Sequence, residues 1–191
     1  MFDADNVLLD LWGPMRNAYD AMFDVKISDR EFTKLIRDYD RDPLPFAEFG
    51  AALVASDVFE NLPPMFGMKN LLEKLKGMDF DIVVISAAPG DDAVLGKRKR
   101  NLQKEFGDLI SEVHHVGSRD KAGLVRQYAE NRNVSIFCDD HPRTVSATVG
   151  IATHPIWFWN RPHSYCVSEL DMSGVKIARS PADVLSIIAG E

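Results

Sequence analysis

Apolar residues in this chain follow two rhythms, and the change between them divides it. From Trp12 to about Phe66 they recur at helical spacing. Met15, Tyr19, Met22 and Phe23 step by threes and fours. Phe32, Leu35 and Ile36 follow Ser28 and Glu31, a capping-box pair, and Phe46, Phe49, Leu53 and Val54 form a third set. Asp42-Pro43-Leu44-Pro45 breaks the second set from the third, and Asn61-Leu62-Pro63-Pro64 ends it. No strand pattern falls in this stretch. After Pro64, strand-like runs at Phe80–Ile85, Val113–Val116, Val134–Cys138, 151–158 and 175–178 alternate with helical patterns. Those patterns cover Met68–Met78, Asp92–Phe106, Asp120–Asn131, 142–149 and 181–188. Met1-Phe2 reads as the end of a further strand, short against the usual five or so residues. Strands alternating with helices predict an α/β fold with a doubly wound parallel, Rossmann-like sheet. The helical stretch predicts a small cap inserted after the first strand, with residues 1–13 and 65–191 as the core and 14–64 as the cap.

The predicted strand ends collect the polar chemistry. Asp3 and Asp5 leave the tip of the first strand in nearly the same direction, because side chains on extended chain repeat with period two. In an open α/β sheet that tip is where ligands bind. Two close carboxylates repel unless a cation or a shared proton relieves them. The pair therefore suits a hard divalent cation such as Mg²⁺, with one carboxylate left to act on a substrate. Ser86 and Ala87 end the strand at Phe80–Ile85, Asp139-Asp140 end Val134–Cys138, and Lys121 opens a helix. Each alone has a plainer role as a turn, a helix cap or a solvated charge. Their coincidence at one sheet edge is what points to a site.

Composition narrows the partners more than the fold. The formal charge of −7 over 191 residues disfavours long nucleic acid, which is held by clustered Lys and Arg. A single nucleotide stays compatible, since a local cationic pocket outweighs an acidic surface more than about 8 Å away. Of the two cysteines, Cys138 lies in an apolar run and reads as a buried free thiol in a reducing compartment. No apolar stretch reaches the roughly 18 residues that span a bilayer, and no signal peptide precedes Asp3. A cytoplasmic protein without a membrane partner is expected. The oligomeric state stays open, a homodimer included.

In order and spacing, these residues resemble the motifs of the haloacid dehalogenase-like phosphatase superfamily over nearly the whole chain. Asp3-Ala4-Asp5-Asn6-Val7 looks like its first motif, Ser86 its second, Ser118-Arg119-Asp120-Lys121 its third, and Cys138-Asp139-Asp140 its acidic fourth. Within it, the 5′(3′)-deoxyribonucleotidase group is most similar. Asp10 keeps the spacing of that group's extended first motif, and Asp139-Asp140-His141-Pro142 is similar to its DDRP. The basic helix running to Phe106-Gly107 and the pair Asn160-Arg161 also match. Asn6 stands where the group has glycine, and His141 where it has arginine.

The resemblance implies a Mg²⁺-dependent phosphomonoesterase acting on a small phosphorylated substrate, a nucleoside monophosphate. Asp3 would be the nucleophile and Asp5 the general acid, then base. The metal would be held by Asp3, the Asp5 carbonyl, and Asp139 or Asp140. Ser86, Ala87 and Lys121 would bind phosphate, with Arg98 reaching it from the basic helix. Trp12, Phe46 and Phe49 are candidates to face a substrate base, with core packing as the alternative, and Asn160 and Arg161 are candidates for the same pocket. Competing readings are a phosphatase of another small ester or of a nucleic-acid end, and a non-catalytic binding module. Dehalogenation fits less well, because Asp5 is what a phosphatase needs to protonate a leaving alcohol.

Overall fold

The computed structural model describes residues 1–39, 44–87, 92–116, 120–160 and 167–190. Asp42-Pro43, Pro89-Gly90, Ser118-Arg119, Arg161 and Cys166 lie outside the described residues, as does the side chain of Phe46. Six strands form one all-parallel sheet: β1 (Phe2–Asp3), β2 (Val83–Ser86), β3 (Glu112–His115), β4 (Ile136–Asp139), β5 (His154–Phe158) and β6 (Lys176–Ala178). Their order across the sheet is β3-β2-β1-β4-β5-β6. The order reverses beside β1, so its C-terminal end, between those of β2 and β4, is the crevice where such sheets take ligands.

Both faces of the sheet are covered at its centre, which is why β2 and β4 carry continuous apolar runs. Alternate residues divide between two cores. Phe2, Val84, Ile136, Cys138, Ile156 and Phe158 join Leu71, Leu72 and Leu75 of α5 (Met68–Gly77), Leu102 and Phe106 of α6 (Asp92–Phe106), and Val184 of α9 (Pro181–Ala189). Val83, Ile85, Phe137 and Trp157 join Val125 of α7 (Lys121–Ala129) and Val145 of α8 (Pro142–Ser146) on the other face. The doubly wound parallel sheet expected from the sequence is therefore present.

Between β1 and α5 run α1 (Trp12–Phe23), α2 (Asp29–Tyr39), α3 (Leu44–Ala55) and the single turn α4 (Asp57–Glu60). They enclose a third apolar cluster around Trp12, Phe32, Phe49 and Leu53. Phe32 meets Trp12 edge-on at 5.1 Å between ring centroids. The capping box before α2 forms: Glu31 accepts from the Ser28 backbone at 2.7 Å, and the Glu31 N–H donates to Ser28 Oγ at 3.3 Å. The expected break at Asp42–Pro45 is narrower than its sequence suggests, since Leu44 and Pro45 already belong to α3. Proline needs no amide partner in a first helical turn. The apolar stripe of α1 also outruns its partners. Met22 and Phe23, at its far end, are half exposed.

Lysines and arginines of α6 fasten these helices to the sheet. Lys97 Nζ donates to the carbonyls of Val54, Ala55 and Ser56 at the C-terminus of α3, where a cation also meets the negative end of the helix dipole. Arg100 pairs with Glu60. Within the basic helix, Lys97 and Arg100 thus have protein partners. Among the described residues no helix is long and apolar enough to cross a membrane.

Candidate active site

The site is assembled by strand ends. β1 stops at Asp3 because the chain then turns: the amides of Leu8 and Leu9 both donate to the Ala4 carbonyl, and Asn6 takes a left-handed φ of 58°. Asparagine tolerates that region better than most residues, which lets it stand where the resembling group has glycine. Its side chain adds contacts that glycine would lack. Asn6 Oδ1 accepts from the Trp12 amide at 3.1 Å, and Asn6 Nδ2 donates to Asp140 Oδ2 at 3.3 Å. The sequence signalled only a departure at this position; the structure makes it a tie between the first motif, the fourth, and the start of α1.

Asp3, Asp139 and Asp140 each bring a carboxylate oxygen to within 4.8 Å of the others, and all three are buried. Lys121, at the first turn of α7, reaches Asp3 at 2.6 Å and Asp139 at 2.8 Å. Three carboxylates against one ammonium leave an excess of negative charge in a place that solvent screens poorly. Burial, then the charges of Asp139 and Asp5, lift the Asp3 pKa from 3.8 to about 7 against the opposing pull of Lys121. Burial, then Asp3 and Asp139, hold Asp140 well above the ordinary carboxylate range. Burial pulls the Lys121 pKa down, but Asp139 and Asp3 outweigh it and keep the ammonium charged. An all-oxygen cluster with surplus negative charge fits a hard dication, so the residues present suit the Mg²⁺ that the sequence motifs imply.

A pH-dependent consequence follows. In the metal-free protein, Asp3 keeps a proton between about pH 4 and pH 7 that the unfolded chain has already released, so stability falls as pH rises through that window. A bound cation replaces the proton. Mg²⁺ should therefore raise the melting temperature clearly at about pH 8 and little at about pH 5. Equal shifts at both would separate the cation from these carboxylates.

Asp5 lies outside the trio, although its sequence spacing placed it beside Asp3. Its Oδ1 pairs with Nη2 of Arg98 at 2.5 Å. Arg98 is fully buried and lies over the Phe59 ring of α4, 4.0 Å from its centroid. Ser86 Oγ, at the tip of β2, is buried without a hydrogen-bond partner. A hydroxyl in that state has its hydrogen-bonding capacity left for a ligand. Ala87 follows it, partly buried. Asn160 joins the site through its side-chain amide, which donates to the Asn6 carbonyl at 3.2 Å; its Oδ1 is buried and unpartnered. Trp12 and Phe49, considered for a substrate base, bury their rings in the third cluster among Phe32, Tyr19 and Phe23, which is the core alternative. Trp157 was not singled out from the sequence. Its indole N–H donates to the Asp140 carbonyl at 2.9 Å and so steadies the acidic pair from β5.

With this geometry the fold can be placed among known structures. An L-2-haloacid dehalogenase superposes with a TM-score of 0.67 at 13% identity, covering 98% of this chain and 96% of that one. A second dehalogenase gives 0.61 at 13% identity over 97% and 94%. A third, solved with an intermediate complex, gives 0.57 at 14% over the same shares. The architecture is that of the haloacid dehalogenases. No protein-family model matches the sequence, and no curated protein matches it.

Proposed function

We propose that this chain is a Mg²⁺-dependent phosphomonoesterase of the haloacid dehalogenase-like superfamily, acting on a small phosphate ester and within that class on a nucleoside monophosphate. The observation that carries the reading is the separation of the two motif-one carboxylates. Asp3 sits in the buried acidic trio against Lys121, while Asp5, two residues on, is held apart by Arg98. Two carboxylates in different surroundings suit two different tasks.

Asp3 attacks phosphorus, the ester P–O bond breaks, and Asp5 gives its proton to the departing alkoxide. Asp5, now a carboxylate, takes a proton from water as that water attacks the aspartyl-phosphate. The products are inorganic phosphate and free Asp3. Lys121 offsets charge on Asp3 and on the phosphoryl oxygens, and Ser86 Oγ–H donates to one of them. Asp3, Asp139, Asp140 and the Asp5 carbonyl would hold the cation, which would offset the negative charge of the phosphate. Residues 14–64 serve as the cap in this reading, and Asn160 stands beside the first-motif turn through its bond to the Asn6 carbonyl.

The similar structures named as dehalogenases favour a second reading, cleavage of a carbon–halogen bond in a small 2-haloacid. A halide leaves without a proton, so that chemistry gives Asp5 nothing to do. Phosphate release from nucleoside 5′- and 3′-monophosphates and sugar phosphates, measured beside halide release from 2-haloacids, separates the two. Our reading predicts Mg²⁺-dependent phosphate release, highest with a nucleotide, and no halide. Halide release alone would overturn it.

A further inference from the structure

We infer that Arg98 is a positioning residue for Asp5, setting the carboxylate that protonates the leaving alcohol; this rests on the phosphomonoesterase reading. Arg98 belongs to α6, yet its guanidinium is fully buried under the first-motif loop, where burying a charge is costly unless it is paired. The guanidinium carbon lies over the ring of Phe59, a buried residue of α4. Nη1 lies 3.5 Å from Asn101 Oδ1, one turn further along α6. Asn101 is itself fixed. It accepts from the Leu62 amide at 3.2 Å and donates to the Leu62 carbonyl at 2.9 Å, which locks the chain returning from α4.

The guanidinium is therefore held by a ring and by a side-chain amide that the Leu62 backbone fixes in turn. Its remaining strong contact is Asp5 Oδ1. A clamped planar donor fixes the direction of the carboxylate it holds, and the other oxygen, Oδ2, is the one left to carry the proton. Displacing a catalytic group by about 1 Å can cost on the order of a hundredfold in rate. Arg98 and its supports thus provide the orientation that Asp5, on a turn, does not obtain from the sheet.

The distinguishing experiment uses leaving groups of different basicity. An alkyl phosphate needs its leaving oxygen protonated, whereas p-nitrophenyl phosphate expels a stable anion and needs little help. Relative to wild type with Mg²⁺, Arg98→Met should lower kcat/KM for the alkyl ester about 100-fold, and for the aryl ester by no more than about fivefold. Arg98→Lys, which keeps the charge in case the methionine variant fails to fold, should move the ratio the same way by about tenfold, because an ammonium lacks the fork geometry. In an Asp5→Asn background, Arg98→Lys should leave the ratio unchanged. A folded Arg98→Lys protein that slows both esters equally, or that moves the ratio without Asp5, overturns the inference. If wild type hydrolyses neither ester, the phosphomonoesterase reading itself has failed.

Discussion

Replacing Asp3 by asparagine should abolish turnover while leaving the fold intact. The amide has nearly the same shape but cannot attack phosphorus, and removal of a nucleophile of this kind costs on the order of 10⁴-fold or more. The usual objection to such a variant is that a buried substitution unfolds the protein. Here the electrostatics run the other way. Asp3 is one of three carboxylates gathered round a single lysine, and Lys121 keeps Asp139 at 2.8 Å when Asp3 is neutralised. Metal-free Asp3→Asn should therefore melt at or above the wild-type temperature near neutral pH, and gain less from Mg²⁺. Thermal melts with and without the cation, run beside phosphate release, check both halves. Residual turnover within about tenfold of wild type would remove Asp3 from the reaction.

Lys121→Met should have the largest effect on stability. The ammonium touches Asp3 and Asp139 and is almost inaccessible to solvent. Removing one partner of a buried ion pair leaves its carboxylates uncompensated, a loss of about 3–5 kcal/mol. In a chain of this length that corresponds to a drop in melting temperature of roughly 10 °C. Mg²⁺ should restore part of the loss, because the cation and the ammonium answer the same excess of negative charge. The matched control is Lys99→Met, two positions from the basic-run residue Lys97 and exposed on α6, which should melt as wild type does. Melting of Lys121→Met at the wild-type temperature would contradict the charge balance drawn for the site.

The sheet was legible in the sequence because strands buried on both faces must be apolar at every position, and Val83-Val84-Ile85 and Ile136-Phe137-Cys138 are. Their ends were less so. Phe80–Ile82 reads as strand by composition, but the parallel ladder begins only at Val83, opposite Glu112. The helix expected over 142–149 stops at Ser146, and the strand expected from 151 starts at His154. Periodicity reports which faces are apolar; the partners available decide how far an element runs. The same limit explains Met22 and Phe23, spaced as core residues at the end of α1 and left half exposed.

The acidic residues at the strand ends were found by sequence because topology brings the tips of β1 and β4 together once the strand order is right. What the sequence could not supply was partnership. Asp5 follows Asp3 by two residues, and only the packing of α6 shows it joined to Arg98. Aromatics at helical spacing serve a core and a base pocket equally well on paper. The rings of Trp12 and Phe49 are settled by the cluster around Phe32. Asn6 has the least predictable role, since its worth lies in side-chain contacts to the Trp12 amide and the Asp140 carboxylate, residues distant from each other in the chain.

In the proposed chemistry Asp3 carries the phosphoryl group between donor and water. Partitioning between water and an added alcohol tests it most directly. If every substrate passes through the same aspartyl-phosphate, aryl, alkyl and nucleoside phosphates must all give one ratio of alkyl phosphate to inorganic phosphate at a fixed alcohol concentration, since the leaving group has gone before the choice is made. A ratio that changes with the leaving group would mean that water attacks the substrate itself, and Asp3 would lose the role assigned to it.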